Sequence, residues 1–197
     1  MKRTSLFFAM ITLLFFSSCL VQFDRRMRVE YDQVRESKTI TKELSLSKIA
    51  EWNSGFGNTQ QTLQKTIKNN GEIDYWGYER LTISTKMHPL DPTIYLLIDD
   101  KVVPIALKMQ ESETFTQISE DTKTVSTSDS TQVTVVSGYS QSDYRSIRIQ
   151  YSLDEEVIRL LQNAQSIFIR YYFGPQMVTL GYRAGQTSEV KKWASTY

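Results

Sequence analysis

The chain is poor in the residues on which most recognisable chemistries depend. Its 197 residues include one cysteine (Cys19), one histidine (His88), four prolines and eight glycines. With Cys19 alone, no disulfide can form within the chain, so whatever folds after it is held by its core. One histidine and no second cysteine leave too few soft ligands for a zinc site. They also exclude a Cys–His pair, and any Ser-His-Asp device would have to use His88. Pro89 follows His88 and marks a loop, where a structural or solvent-exposed histidine is the expected reading. Gly55 and Gly57, in Asn53-Ser-Gly-Phe-Gly-Asn58, fit neither a dinucleotide fingerprint nor a phosphate loop. No G-x-S-x-G elbow occurs. Asp99 with Asp100, and Asp121 with Asp129, offer oxygens to a hard cation but lack EF-hand spacing, and turn chemistry accounts for the first pair. No cofactor and no metal is implied.

Excess charge is missing too. Lys and Arg number 23 against 22 Asp and Glu, a formal net charge of +1. A near-neutral chain gives no reason to expect nucleic acid as a partner.

What is there begins at the N-terminus. Lys2 and Arg3 precede an apolar run from Leu6 to Phe16, interrupted only by Thr12. This run fits the core of a signal peptide. It is shorter than the roughly 20 apolar residues a membrane-crossing helix needs. Ser17 and Ser18 then lead into Cys19. Phe16-Ser-Ser-Cys19 resembles the lipobox of bacterial lipoprotein precursors, with small residues before the cysteine and Phe16 where leucine is usual. The resemblance implies cleavage before Cys19, a diacylglyceryl thioether on its sulfur and, in most such bacteria, a fatty acyl group such as palmitate on the new amino group. One acyl chain binds a membrane marginally, whereas two or three hold a protein stably. Residues 1–18 thus read as signal peptide, 19–28 as a lipid-anchored tether and 29–197 as one globular domain. Loss of Lys2 and Arg3 with the leader takes the net charge to −1. Arg25, Arg26 and Arg28 follow the anchor, where basic residues add on the order of 1 kcal/mol each near an anionic leaflet; a solvated start to the first strand is the preferred reading of them. Leu20 and Val21 are not the acidic residues associated with inner-membrane retention, so the resemblance favours the outer membrane in a diderm host.

The pattern beyond the anchor is mostly that of strands. Lys42 to Ser47 and Arg145 to Tyr151 alternate apolar and polar residues, and Arg80 to Met87 is rich in Thr and Ile. Thr93–Ile98 and Val102–Leu107 flank Asp99-Asp100-Lys101 and predict a β-hairpin, with Pro104 placing the second strand at an edge or bulge. Leu63 and Ile67, four apart, with Gly71 beyond them, predict a short helix over 59–70. Glu111 to Ser142 is the least hydrophobic stretch. It offers a strand at 131–136, a hairpin partner at 122–127 and a disordered tip. Ser152 and Glu155 form an S-x-x-E capping box opening a helix with Val157, Leu160, Leu161 and Ala164 on its buried stripe. Strands at 167–173 and 177–182, joined at Gly174-Pro175, and a closing helix at 186–196 complete the order. The class expected is α+β: a mostly antiparallel sheet, with a sandwich as one form it can take, a helix between two late strands and a short C-terminal helix.

Three functions fit a chain of this kind. The first is a lipid-anchored interaction or assembly module with an envelope protein as partner. The next is a binding lipoprotein for a small apolar or sugar ligand. Its candidate site residues are Trp52, Tyr75, Trp76 and Tyr78, whose rings offer rigid apolar area with a polar tip, lining a pocket of roughly 300–1,000 Å³. Core packing is the competing use of those rings. The last is an envelope hydrolase with a carboxylate pair about 5–10 Å apart, drawn from residues such as Glu79, Asp91, Asp99 and Asp154. The motif poverty leans away from an enzyme.

Overall fold

A computed structural model describes residues 27–48, 55–126 and 132–197. Cys19, the leader, most of the tether and Trp52 lie outside these residues. Among the described residues ten strands and two helices follow in the order β1 (Arg28–Asp32), β2 (Ser37–Lys48), β3 (Phe56–Ile67), β4 (Ile73–Ser84), β5 (Thr93–Ile98), β6 (Lys101–Ala106), β7 (Met109–Ser126), β8 (Gln132–Ser152), α1 (Glu155–Asn163), β9 (Ile167–Phe173), β10 (Gln176–Gly181) and α2 (Ala184–Ser195). The fold is α+β, with a mostly antiparallel sheet curled into a sandwich-like form.

All pairings are antiparallel. The strand order is β6-β5-β9-β10-β2-β3-β4-β8-β7, with β1 also lying on β2. Two leaves meet at a narrow seam, where β10 and β2 share only Leu180↔Lys48 and Gly181↔Ser47. The terminal strands β6 and β7 are joined through Leu107 and Lys108 alone. Leu107 N–H donates to the Pro92 carbonyl and Lys108 N–H to that of Gln150, at 2.9 and 2.8 Å. A connection that short brings the two ends of the sheet together, so the sheet wraps around its core.

Alternation sets what lies inside. Ile94, Leu96 and Ile98 of β5, Ile147, Ile149 and Tyr151 of β8, and Ile167, Ile169, Tyr171 and Phe173 of β9 are all buried. Phe56 packs against Tyr171 and Phe173 with ring centroids 6.3 and 6.1 Å apart, tying the two leaves together. Each such side chain contributes about 1.5–3 kcal/mol by leaving water. Gly77 permits the closest approach: a Cβ there would lie 2.2 Å from the Tyr151 ring.

The helices close the inner face. Trp193 of α2 is fully buried, and its indole N–H donates to the Ile40 carbonyl at 3.2 Å. Lys65 is buried beneath the same helix and donates to the carbonyls of Ala194 and Thr196 at 3.1 and 2.7 Å. A cation at these last carbonyls is favourable both as a donor and against the helix dipole. Lys42, also buried, pairs with Glu189 at 3.3 Å.

Several sequence expectations are corrected here. The region read as a helix over 59–70 is strand β3. Leu63 and Ile67 are four apart, which puts them on one face of a helix and equally on one face of a strand. Gly71 does adopt a left-handed φ of +84°, but in the turn to β4. The cap of α1 is Asp154, whose carboxylate accepts from the Val157 N–H at 2.8 Å; Ser152 is the last residue of β8. The two short strands and loop read into Glu111–Ser142 are long continuous strands on both sides of residues 127–131. The β5–β6 hairpin, the late strand-helix-strand run and the edge position of Pro104 match the structure.

Candidate functional site

The feature with least structural purpose is the outer part of the β7–β8 hairpin. β4 accompanies β8 only as far as Ser84↔Tyr144. Beyond it β7 and β8 run on as a two-stranded ribbon, from Thr116↔Asp143 to Ser126↔Gln132. At ~3.3 Å per residue its eleven rows reach roughly 35 Å from the body. Side chains from Thr116 to Val125 and from Gln132 to Ser137 are exposed. Ile118 and Tyr139, diagonal neighbours on one face, are 68% and 69% exposed. Isolated hairpins are marginal in water, and this one is held by its ladder and a few polar ties. Thr116 Oγ1 donates to Asp143 at 2.7 Å, and Ser137 Oγ to the Asp121 carbonyl at 2.9 Å beside a bulge at Asp121/Thr122.

A cavity of about 580 Å³ sits at the ribbon's root, where β8 leaves β4. Tyr144, Asp143, Gln141, Lys86, Met87 and Gln176 are among its walls. Tyr144 stacks on Phe115 across the strands, with centroids 5.7 Å apart. Arg145 fixes the neighbouring loop, donating from Nη2 to the carbonyls of Met87 and His88 at 2.8 and 2.9 Å. His88 is exposed and borders Gly174. The cavity is thus polar, with one aromatic ring.

The aromatic candidates do not converge on it. Tyr75 turns inward, edge-on to Trp193 at 6.2 Å and 5.2 Å from the Lys65 ammonium. Burial raises its phenol pKa, and the nearby Tyr197 adds to the shift. Trp76 and Tyr78 face the other side of β4. Trp76 stands between Gln64 and Ser152, and Tyr78 between Thr62 and Gln150; both are half-buried. Trp52 lies outside the described residues.

The carboxylate candidates are scattered through different roles. Glu79 is buried in the core, where its carboxylate accepts from Tyr151 and Tyr171 hydroxyls at 2.6 and 2.5 Å and from Gln61 Nε2 at 2.8 Å. Gln61 Oε1 in turn accepts from the Tyr182 hydroxyl at 2.7 Å. Burial pushes the Glu79 carboxyl above its ordinary range, against the pull of its three donors. Burial first, and then the Glu79 charge, raise the Tyr151 and Tyr171 phenols well above theirs. The cluster links both leaves, with Gln61, Glu79, Tyr151 and Tyr171 buried and Tyr182 partly so, and its geometry suits cohesion. Asp99 is exposed and accepts from the Gln165 and Ser166 backbone N–H groups at 2.9 and 2.8 Å, which lowers its pKa. Asp154 caps α1 and Asp91 is exposed. Two further acidic side chains, Glu111 and Glu113, line a hollow of about 280 Å³ with Arg148, which lies 3.6 Å from Glu113.

Among the described residues no three His, Cys, Asp or Glu side chains are grouped to hold a metal. No helix among them is long and apolar enough to cross a membrane. No protein-family model, curated protein or solved structure matches this chain.

Proposed function

We propose that this chain is a lipid-anchored interaction or assembly module of the bacterial cell envelope, tethered through Cys19 and binding an envelope protein through the β7–β8 ribbon. The observation that carries the reading is the ribbon: eleven rows of paired backbone with exposed side chains on both faces. Ordering those residues costs on the order of 1–2 kcal/mol each in backbone entropy, and the ribbon buries little to offset it. A partner surface would supply that burial. The lipobox-like Phe16-Ser-Ser-Cys19 supports the anchor. An anchored domain carrying such a ribbon would meet neighbours in the same membrane, the outer one in a diderm host.

Two measurements test this. Cells fed an alkyne fatty acid should label the chain, and Cys19→Ser should abolish both the label and the membrane association. A crosslinked-membrane pull-down should recover a specific protein with the intact chain and lose it when residues 116–143 are replaced by Asn-Gly. Equal recovery with and without the ribbon contradicts the reading.

The root cavity favours a second reading, a binding lipoprotein for a small polar ligand such as a sugar. Its volume of about 580 Å³ lies within the usual range for such sites. Soluble envelope glycans should then raise the melting temperature of the chain but not of Tyr144→Ala; no shift with any of them removes this alternative.

A further inference from the structure

The ribbon has two edges of unequal character. The outer edge is β7, the last strand of the sheet. The other is β8 from Gln132 to Asp143, exposed because β4 stops pairing at Ser84↔Tyr144. Unpaired edges present rows of N–H and C=O groups to any strand that approaches. Proteins usually blunt them with charge, proline or a bulge. β7 is blunted by charge, carrying Glu111, Glu113, Glu120, Asp121 and Lys123. β8 is not. From Gln132 to Ser142 it reads Gln-Val-Thr-Val-Val-Ser-Gly-Tyr-Ser-Gln-Ser, with no charged residue and no proline. Its one irregularity is the bulge opposite Asp121/Thr122, which leaves Gln132–Val136 as an uninterrupted paired stretch beyond it.

Within that stretch Val133, Thr134, Val135 and Val136 are four consecutive β-branched residues. Val133, Val135 and Val136 are 43%, 42% and 48% exposed. High β-propensity without charge, proline or glycine is the signature of segments that pair with their own copies.

We infer that a second copy of this chain docks along the free edge of β8, strand to strand, through Gln132–Val136. Charge selects this occupant. Two β7 edges laid antiparallel would bring mostly acidic strands together, and like charges across strands are destabilising. A charged partner strand finds no complement on β8, whereas a neutral β-branched strand does, and this chain presents one. Antiparallel pairing about a two-fold axis at Thr134 sets Val133 against Val135 on both sides and opposes no charges. The result is a closed isologous contact that joins two ribbons tip to tip into a four-stranded sheet. The inference rests on the interaction-module reading and names the partner for the ribbon.

The test uses the chain from residue 19 onward carrying Cys19→Ser, so that an introduced thiol is the only one. Thr134→Cys, which faces its own copy on the two-fold axis, should form an inter-copy disulfide at least tenfold faster than Val102→Cys on β6, and mixed Val133→Cys and Val135→Cys chains should cross-link faster than either alone, whose thiols lie diagonally apart. Sedimentation should show reversible dimerisation, with Kd raised at least tenfold by Val135→Lys. Circular dichroism of Val135→Lys checks that the fold persists, and Thr124→Lys, on β7 of the same ribbon, should shift Kd much less. A monomer at all concentrations, or crosslinking no faster at the tip than at Val102, overturns the inference. In that case, ribbon-dependent recovery of a different protein from membranes would leave the interaction-module reading intact.

Discussion

Glu79 should make the stability of this fold fall as pH rises, the reverse of what a salt-bridged carboxylate does. The carboxyl is 3% exposed and its pKa is raised by burial. A pKa higher in the folded than in the unfolded chain means that the fold binds the proton more tightly. Its contribution is therefore complete below the ordinary glutamic value of 4.5 and is lost as pH climbs from there to the folded value. One proton corresponds to about 1.4 kcal/mol per pH unit across that window. The comparison is Glu79→Gln, which keeps the shape and cannot ionise. Its amide must find an acceptor among groups that now donate, a pH-independent cost of about 1–3 kcal/mol. Urea unfolding of both proteins from pH 4 to pH 8 separates the two effects. The difference in stability should change with pH at up to about 1.4 kcal/mol per unit above 4.5, with wild type losing ground. A difference independent of pH, or one in which wild type gains, would show that the three donors outweigh burial and refute the reasoning.

Three further outcomes follow from packing. Trp193→Ala removes a fully buried ring and its hydrogen bond to Ile40, and should cost about 3–5 kcal/mol in chemical denaturation. Gly77→Ala places a methyl 2.2 Å from the Tyr151 ring and should cost at least about 1–3 kcal/mol, displacing a member of the Glu79 cluster; a neutral effect on the melt would show that the ring moves freely. Replacing residues 116–143 by Asn-Gly should leave Tm nearly unchanged, because the ribbon side chains are exposed; a loss of more than a few degrees would show that the ribbon supports the body.

Legibility followed the apolar residues. Thr93–Ile98 and Val102–Ala106 were readable because alternation and a two-residue acidic turn agree, and Asp99 takes the left-handed φ of +51° that such a turn needs. The β9 strand and the closing helix α2 were readable as well. β3 was misread because its inner face holds Thr59, Gln61 and Lys65 beside Leu63, so polar residues hide the two-residue period. The Glu79 cluster was illegible as a unit. Its members lie on β3, β4, β8 and β9, with Tyr182 just past β10, and buried polar residues cannot be told from surface ones before the sheet brings them together. The ribbon was only partly legible, since a ladder needs nothing but backbone and its Ser- and Thr-rich sequence matches that of a loop. Of the four aromatic candidates, Tyr75 is partly buried against the core, while Trp76 and Tyr78 line the outer face of β4 away from the root cavity. The root cavity uses Tyr144 instead, a residue that alternation alone would have assigned to a strand.

The proposal that the chain binds its partner through the ribbon is tested most directly by site-specific photo-crosslinking in living cells. A photoreactive residue at position 139, on the ribbon, and another at position 102, on β6, replace side chains that are 69% and 62% exposed. The account predicts a discrete adduct from position 139 that is absent from position 102 and disappears with Cys19→Ser. Adducts of equal yield from both positions, or none from position 139 while the protein is anchored and folded, would contradict it.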